Sequence, residues 1–262
     1  MDMGPELIFI LMTIALVGGI CITTIGPGGI FLTIALFALT DFGPSTVAGT
    51  ASATFIATGI IGSLAYLRSG ELAQPGARRA ALFLGGASVI GAFAGAQLNT
   101  ILDAHLFGIL LGVFVLLTGC IILVRKFLGL SSNAQFELNN RKADIMMVAV
   151  GLGVGLPGGL LGVGGPVLAV PIMVVLGVPM LVGVALAQVQ SIFIAVFATV
   201  GFAIHGAIDW MLALLVGVPL LIGTIAGWYL AQRINPDRLQ LGLAAVLIGL
   251  GGYLLIGGGS LS

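Results

Sequence analysis

Six stretches of this chain, residues 45–66, 80–101, 106–124, 180–204, 211–231 and 239–256, contain no Asp, Glu, Lys or Arg and are 18 to 25 residues long. A helix needs roughly 20 apolar residues to cross a bilayer. Runs of this kind leave few choices, because lipid offers the backbone no hydrogen-bond partner and only structures that satisfy themselves can span it. Two further uncharged runs, 7–39 and 145–176, are longer but broken by glycine and proline. The whole chain is 59% hydrophobic and only 7% charged over 262 residues. A soluble domain carries roughly 25% charged residues. The pattern predicts an all-α integral membrane protein.

The few charges are sorted. All nine Lys and Arg residues, Arg68, Arg78, Arg79, Arg125, Lys126, Arg141, Lys142, Arg233 and Arg238, fall on one side of the bilayer in a single threading. Asp2, Glu6, Asp41, Asp103, Asp209, His105 and His205 fall on the other. Basic residues accumulate in short cytoplasmic loops, which puts loops 68–79, 125–142 and 232–238 inside and both termini outside. The N-terminus has no basic start, so its first apolar run is expected to be retained rather than cleaved. The net charge of zero gives no sign of a nucleic-acid partner. Cys21 and Cys120 both lie in apolar runs, and no CxxC, HExxH or P-loop pattern suggests a metal, a cofactor or a catalytic residue.

The chain repeats itself. Gly26-Pro27-Gly28-Gly29 matches Gly162-Val163-Gly164-Gly165, and Val47-Ala48-Gly49-Thr50-Ala51 resembles Leu181-Val182-Gly183-Val184-Ala185. Gly85, Gly91 and Gly95 recur as Gly217, Gly223 and Gly227, and Asp103 falls opposite Asn235. Matching loops lie on opposite sides of the threading. The expectation is two inverted-topology repeats, residues 1–124 and 143–262, joined by a linker at 125–142. Such repeats with interrupted helices are a transporter pattern, with the site near the midplane.

Each break reads as two partial helices meeting at a non-helical tip: at 26–29 in the first half, and at 157–159 and again at 162–166 in the second. The apolar stretches after the breaks, 30–39 and 167–176, are half the length a crossing needs. Their N-termini therefore start inside the membrane, and a helix N-terminus carries unpaired N–H groups and about half a positive charge. Two such ends form an anion site without a basic side chain. The expected binding residues are Thr24, Gly28, Gly29, Thr50, Ser52, Gly164, Gly165, Gln188 and Gln190, with Thr23, Thr54 and Ser191 as further polar groups nearby. For Gly85, Gly91, Gly95, Gly217, Gly223 and Gly227, close helix packing is the expected role.

With those residues in view, the chain resembles the sulfite exporter TauE/SafE family over nearly its whole length. The resemblance rests on Gly162-Val163-Gly164-Gly165-Pro166 followed by Pro171, on Gly26-Pro27-Gly28-Gly29, and on Gly49-Thr50-Ala51-Ser52. Pro166 and Ile30 stand where the family pattern usually has a third consecutive glycine, and Ala187-Gln188 where it often has Thr-Ser. The resemblance implies export of a sulfur oxyanion or organosulfonate, such as sulfite or sulfoacetate, across a bacterial inner membrane. The expected partners are that anion and the lipid bilayer, with homo-oligomerisation left open. Two other readings stay open at this point: a passive pore for a neutral solute, and a non-transporting membrane subunit that recruits a partner through 125–142.

Overall fold

The computed structural model describes residues 4–127, 138–233 and 236–257. Asp2, Asn235, linker residues 128–137 and the C-terminal end lie outside the described residues, as do the side chains of Lys126 and Arg238. The described residues form ten α-helices and one 3-10 turn at Glu71–Ala73. In chain order they are α1 (Pro5–Thr24), α2 (Gly29–Leu39), α3 (Pro44–Ser69), α4 (Ala77–Asn99), α5 (Ala104–Phe127), α6 (Arg141–Leu161), α7 (Pro166–Val175), α8 (Met180–Ile204), α9 (Trp210–Ala231) and α10 (Pro236–Gly257).

Eight of these helices are long and apolar enough to cross a membrane; α2 and α7 are the short exceptions. The order long, short, long, long, long occurs twice. Large apolar side chains such as Ile90, Ile101, Leu214 and Ile222 face outward, as lipid solvation requires and a water-exposed surface rarely tolerates.

The helices are longer than the uncharged runs, and their charges collect at the ends. At one end Arg79 Nη2 lies 2.5 Å from Asp144 Oδ2, joining the starts of α4 and α6. Arg125 Nη1 donates to Gln240 Oε1 at 2.5 Å, joining the end of α5 to the start of α10. Gln232 after α9 donates to Glu71 after α3 at 3.2 Å. At the opposite end His205 Nε2 lies 2.8 Å from Gln97 Oε1, and the Asp209 N–H donates to Thr50 at 3.1 Å.

Two helix seams organise the bundle: α4 lies along α6, and α9 lies along α1. Both are made by glycine. A Cβ at Gly95 would fall 2.2 Å from the Leu156 carbonyl oxygen, and one at Gly223 would fall 2.1 Å from that of Leu16. Neighbouring backbones can come this close only where no side chain stands between them. In both seams the partners run parallel, yet α6 starts at the basic end and α1 at the other. A central pair, α3 and α8, packs between the seams, and α5 pairs with α10 at the side.

One expected break is absent. Residues 157–159 do not interrupt the helix: α6 runs through Pro157 to Leu161. Proline costs one main-chain hydrogen bond within a helix, and neighbouring groups in membrane bundles compensate for such losses. Gly159 serves the seam instead, since its Cβ would fall 2.1 Å from the Ala92 carbonyl oxygen. Each interrupted region is thus one full-length helix followed by a half-length one, rather than two partial helices.

Candidate functional site

The two tips are built from glycines that no other residue replaces cheaply. Gly26, Gly162 and Gly164 have φ of 103°, 62° and 75°, a region that costs an L-residue roughly 1–2 kcal/mol. At the first tip the N–H groups of Ile25 and Gly26 both donate to the Cys21 carbonyl at 3.0 Å. At the second, the Gly162 N–H bonds back to the Gly158 carbonyl. These turns release the chain from α1 and α6 and restart it as α2 and α7.

The tips treat the two kinds of backbone group differently. Carbonyls at the ends of the full-length helices are capped by side chains from elsewhere in the fold. Gln188 Nε2 donates to the Ile22 carbonyl at 3.2 Å, and the Tyr66 hydroxyl donates to that of Thr23. Asn99 Nδ2 donates to the Leu160 carbonyl at 2.7 Å, and the Thr33 hydroxyl to that of Gly162 at 2.6 Å. The starts of α2 and α7 have no side-chain cap. Orphan N–H groups at a helix start carry partial positive charge. Four carbonyls at the two tips are therefore satisfied by side chains, while the N–H groups at the two helix starts receive no side-chain acceptor; α7 opens on Pro166, which has no N–H.

Those bare starts meet. A Cβ at Gly29 would fall 3.0 Å from the Val163 carbonyl oxygen, and one at Gly26 would press on Val170 of α7 at 2.7 Å. Between them is a small cavity lined by Ile22, Gly26, Gly29, Phe55, Thr58, Val163, Gly164, Pro166 and Ser191. It is just large enough for one water molecule. Ser191 Oγ lies 3.4 Å from where a Gly164 Cβ would stand.

The expected binding residues separate into two groups. Gly29 and Gly164 line the cavity. Gly165, the residue before α7, lies beside it, with Gln190 Oε1 at 3.1 Å from its Cβ position. Gln190 is fully buried, its Nε2 donates to Ser88 Oγ at 2.8 Å, and its Oε1 has no partner among the described residues. The other five are placed elsewhere. Gly28 packs on α1, its Cβ position 2.2 Å from the Gly18 carbonyl oxygen. The Thr24 hydroxyl bonds the Ile20 carbonyl of its own helix, an ordinary use of threonine in a span. Thr50 accepts from the loop before α9. Ser52 is buried but outside the cavity lining. Gln188 caps α1, with its Oε1 against Gly62.

Phe55 and Thr58 did not stand out in the sequence. The Thr58 hydroxyl donates to the Phe55 carbonyl at 3.1 Å. The available signal was a helical stripe: Ala48, Phe55, Gly59 and Gly62 lie at spacings of seven, four and three on one buried face of α3.

The family comparison decides what this frame belongs to. A profile described as Sulfite exporter TauE/SafE matches residues 11–254, both tips and both seams included. The chain belongs to the sulfite exporter TauE/SafE family. It is similar to the probable membrane transporter protein YdhB of Bacillus subtilis (strain 168), 28% identical over 82% of this chain and 85% of the relative. It is also similar to the probable membrane transporter protein YunE of the same organism, 24% identical over 95% of this chain and 97% of the relative. No solved structure matches. This TauE/SafE member is a multi-pass membrane transporter rather than an enzyme.

Proposed function

We propose that the protein is a secondary transporter of a small anion, sulfite or an organosulfonate such as sulfoacetate, bound where α2 and α7 begin. One observation carries this reading: the tip carbonyls are capped by Gln188, Tyr66, Asn99 and Thr33, while the two helix starts beside the cavity are uncapped. A site of this kind favours negative charge without a buried lysine or arginine. A helix start contributes up to about 2 kcal/mol toward an anion in a partly buried setting. Two of them attract a doubly charged oxyanion without trapping it, which suits a carrier that must let go.

In this reading Gly29, Gly164 and Gly165 offer backbone N–H groups at close approach, Ser191 supplies a hydroxyl donor, and Gln190, held by Ser88, packs its side chain against Gly165 and positions the start of α7. Thr24, Thr50, Ser52 and Gln188 support the frame. Residues 1–124 and 143–262 act as inverted repeats joined by 125–142, and access alternates as one rocks against the other. The basic end faces the cytoplasm of a bacterial inner membrane, with both termini periplasmic. The cavity has room for about one water molecule, so in this reading an anion must widen it to bind.

Purified protein in proteoliposomes tests the reading. Saturable flux of sulfite or sulfoacetate, well above that of chloride, is the expected result. Folded protein that moves all three equally, or none, overturns it.

A further inference from the structure

We propose that the Phe55 ring sets the upper size of the anion that the protein accepts. This rests on the site proposed above. Phe55 is 2% exposed and comes from α3, the central helix rather than either tip. Its Cζ lies 3.0 Å from the Cβ position of Gly29, and its Cδ2 lies 3.5 Å from that of Gly164. The ring therefore spans the gap between the two helix starts and occupies space that a ligand touching both would need.

The other walls have less freedom to yield. Thr33 ties α2 to the second tip through the Gly162 carbonyl. Gly162 itself rests on α3, its Cβ position 2.4 Å from the Ala48 carbonyl oxygen, and Gly26 is held against Val170. Parting the tips would break that buried hydrogen bond and unpack Gly162 from Ala48 and Gly26 from Val170. Turning one aromatic side chain breaks none of these. The repeat does not supply a second ring: the residue matching Phe55, at the offset that aligns Gly49 with Gly183, is Val189. The bulk on this wall is thus a property of one half alone.

The ring also explains a mismatch between the site and its proposed cargo. Around the cavity Thr58 and Ser191 are polar, while Ile22, Phe55 and Val163 are apolar. A compact oxyanion needs only the polar side and the helix starts. An organosulfonate brings carbon atoms as well, and these must take the place of the ring. Replacing Phe55 with a smaller apolar residue leaves the helix starts untouched and changes only the room beside them.

The test uses full-length protein in proteoliposomes, with sulfite, methanesulfonate, ethanesulfonate and sulfoacetate as a size series. Pocket changes of one methylene shift discrimination by about tenfold or more. Phe55→Ala is expected to raise the flux ratio of ethanesulfonate to sulfite by about tenfold, with Phe55→Leu intermediate and keeping more of the packing if the alanine variant fails to fold. Phe55→Trp is expected to move the ratio the other way. Folded variants whose size profile stays within about twofold of wild type, with wild type itself active, overturn the assignment of Phe55 while the site stands. Absence of anion flux in folded wild type overturns the site and this inference together.

Discussion

Gly159 and Gly164 sit five residues apart in one glycine-rich run, and on paper they look alike. In the fold they serve opposite ends. Gly159 is part of the α4–α6 seam, where its Cβ would meet the Ala92 carbonyl oxygen at 2.1 Å and the Ala92 Cα at 2.6 Å. Gly164 is at a tip with φ of 75°, and its Cβ would meet only side chains, at 3.4 Å and beyond. One glycine is there for the space it leaves between two backbones. The other is there for a backbone angle and for access to the N–H groups behind it. The seam holds two helices together; in the proposed function the tip presents a surface to the anion. A glycine count therefore says little until each position is sorted by what it touches.

The sharpest way to break this contrast is to put the same methyl at both places. Gly159→Ala must push α4 and α6 apart along the seam. It is expected to cost about 3 kcal/mol or more, the upper range for overpacking. Thermal unfolding in detergent should show it as a Tm drop of several degrees or as loss of monodisperse protein. Gly164→Ala pays only the strain of its backbone angle, about 1–2 kcal/mol. It should fold, yet its methyl enters a space with room for only about one water, so anion flux should be largely lost. Similar Tm values for the two variants, or full flux in Gly164→Ala, would remove the distinction.

The same contrast shows what the sequence could reveal. Uncharged runs, sorted arginines and a repeated glycine pattern were enough for the helix order and for two discontinuous regions, because these follow from hydropathy and local backbone chemistry. Residues 157–159 misled for a physical reason: a Pro-Gly-Gly cluster breaks a helix in water, but with α4 packed against it α6 stays helical through Pro157. The tips were legible as glycine turns. Which polar side chains face them was not, since that depends on helix rotation, and hydropathy barely constrains rotation when all faces are apolar. Thr50 and Gly164 are both in motif-like segments, yet one caps a loop and the other lines the cavity. Phe55 was hidden as one aromatic residue among apolar neighbours, because its stripe with Ala48, Gly59 and Gly62 reads equally as ordinary core.

Gln188 and Gln190 offer a finer comparison, two residues apart on α8 and both fully buried. Gln188 serves a carbonyl end, through its bond to Ile22; Gln190 stands beside the start of α7. Gln188→Leu leaves the Ile22 carbonyl without its donor, a loss of about 1–3 kcal/mol. Its main effect should be a lower Tm, with the preference among anions unchanged. Gln190→Leu removes a side chain next to the uncapped helix start, and its main effect should be a raised KM for the anion. The ratio of sulfite to chloride flux is the informative measurement, because destabilisation lowers both fluxes alike. If Gln188→Leu alters that ratio as much as Gln190→Leu does, the division between carbonyl ends and N–H ends fails.

Thr50 gives the smallest effect and the cleanest boundary. It stands in a motif beside Gly49 and Ser52 that invites a substrate role, but its hydroxyl accepts the Asp209 N–H at the loop entering α9. Asp209 itself caps α9 by accepting from the Leu212 N–H at 2.9 Å, so that helix start is already satisfied without threonine. Thr50→Val keeps the shape and removes one hydrogen bond at a part-buried loop, where water can serve the freed N–H. A cost of about 0.5–1.5 kcal/mol follows, with KM and anion preference unchanged. A several-fold rise in KM would mean that the anion path reaches the His205–Asp209 end of the bundle, and that α3 contributes more than the Phe55 wall. The threonine then belongs with the tips, and the line drawn here between frame and site would have to move about one helical turn up α3.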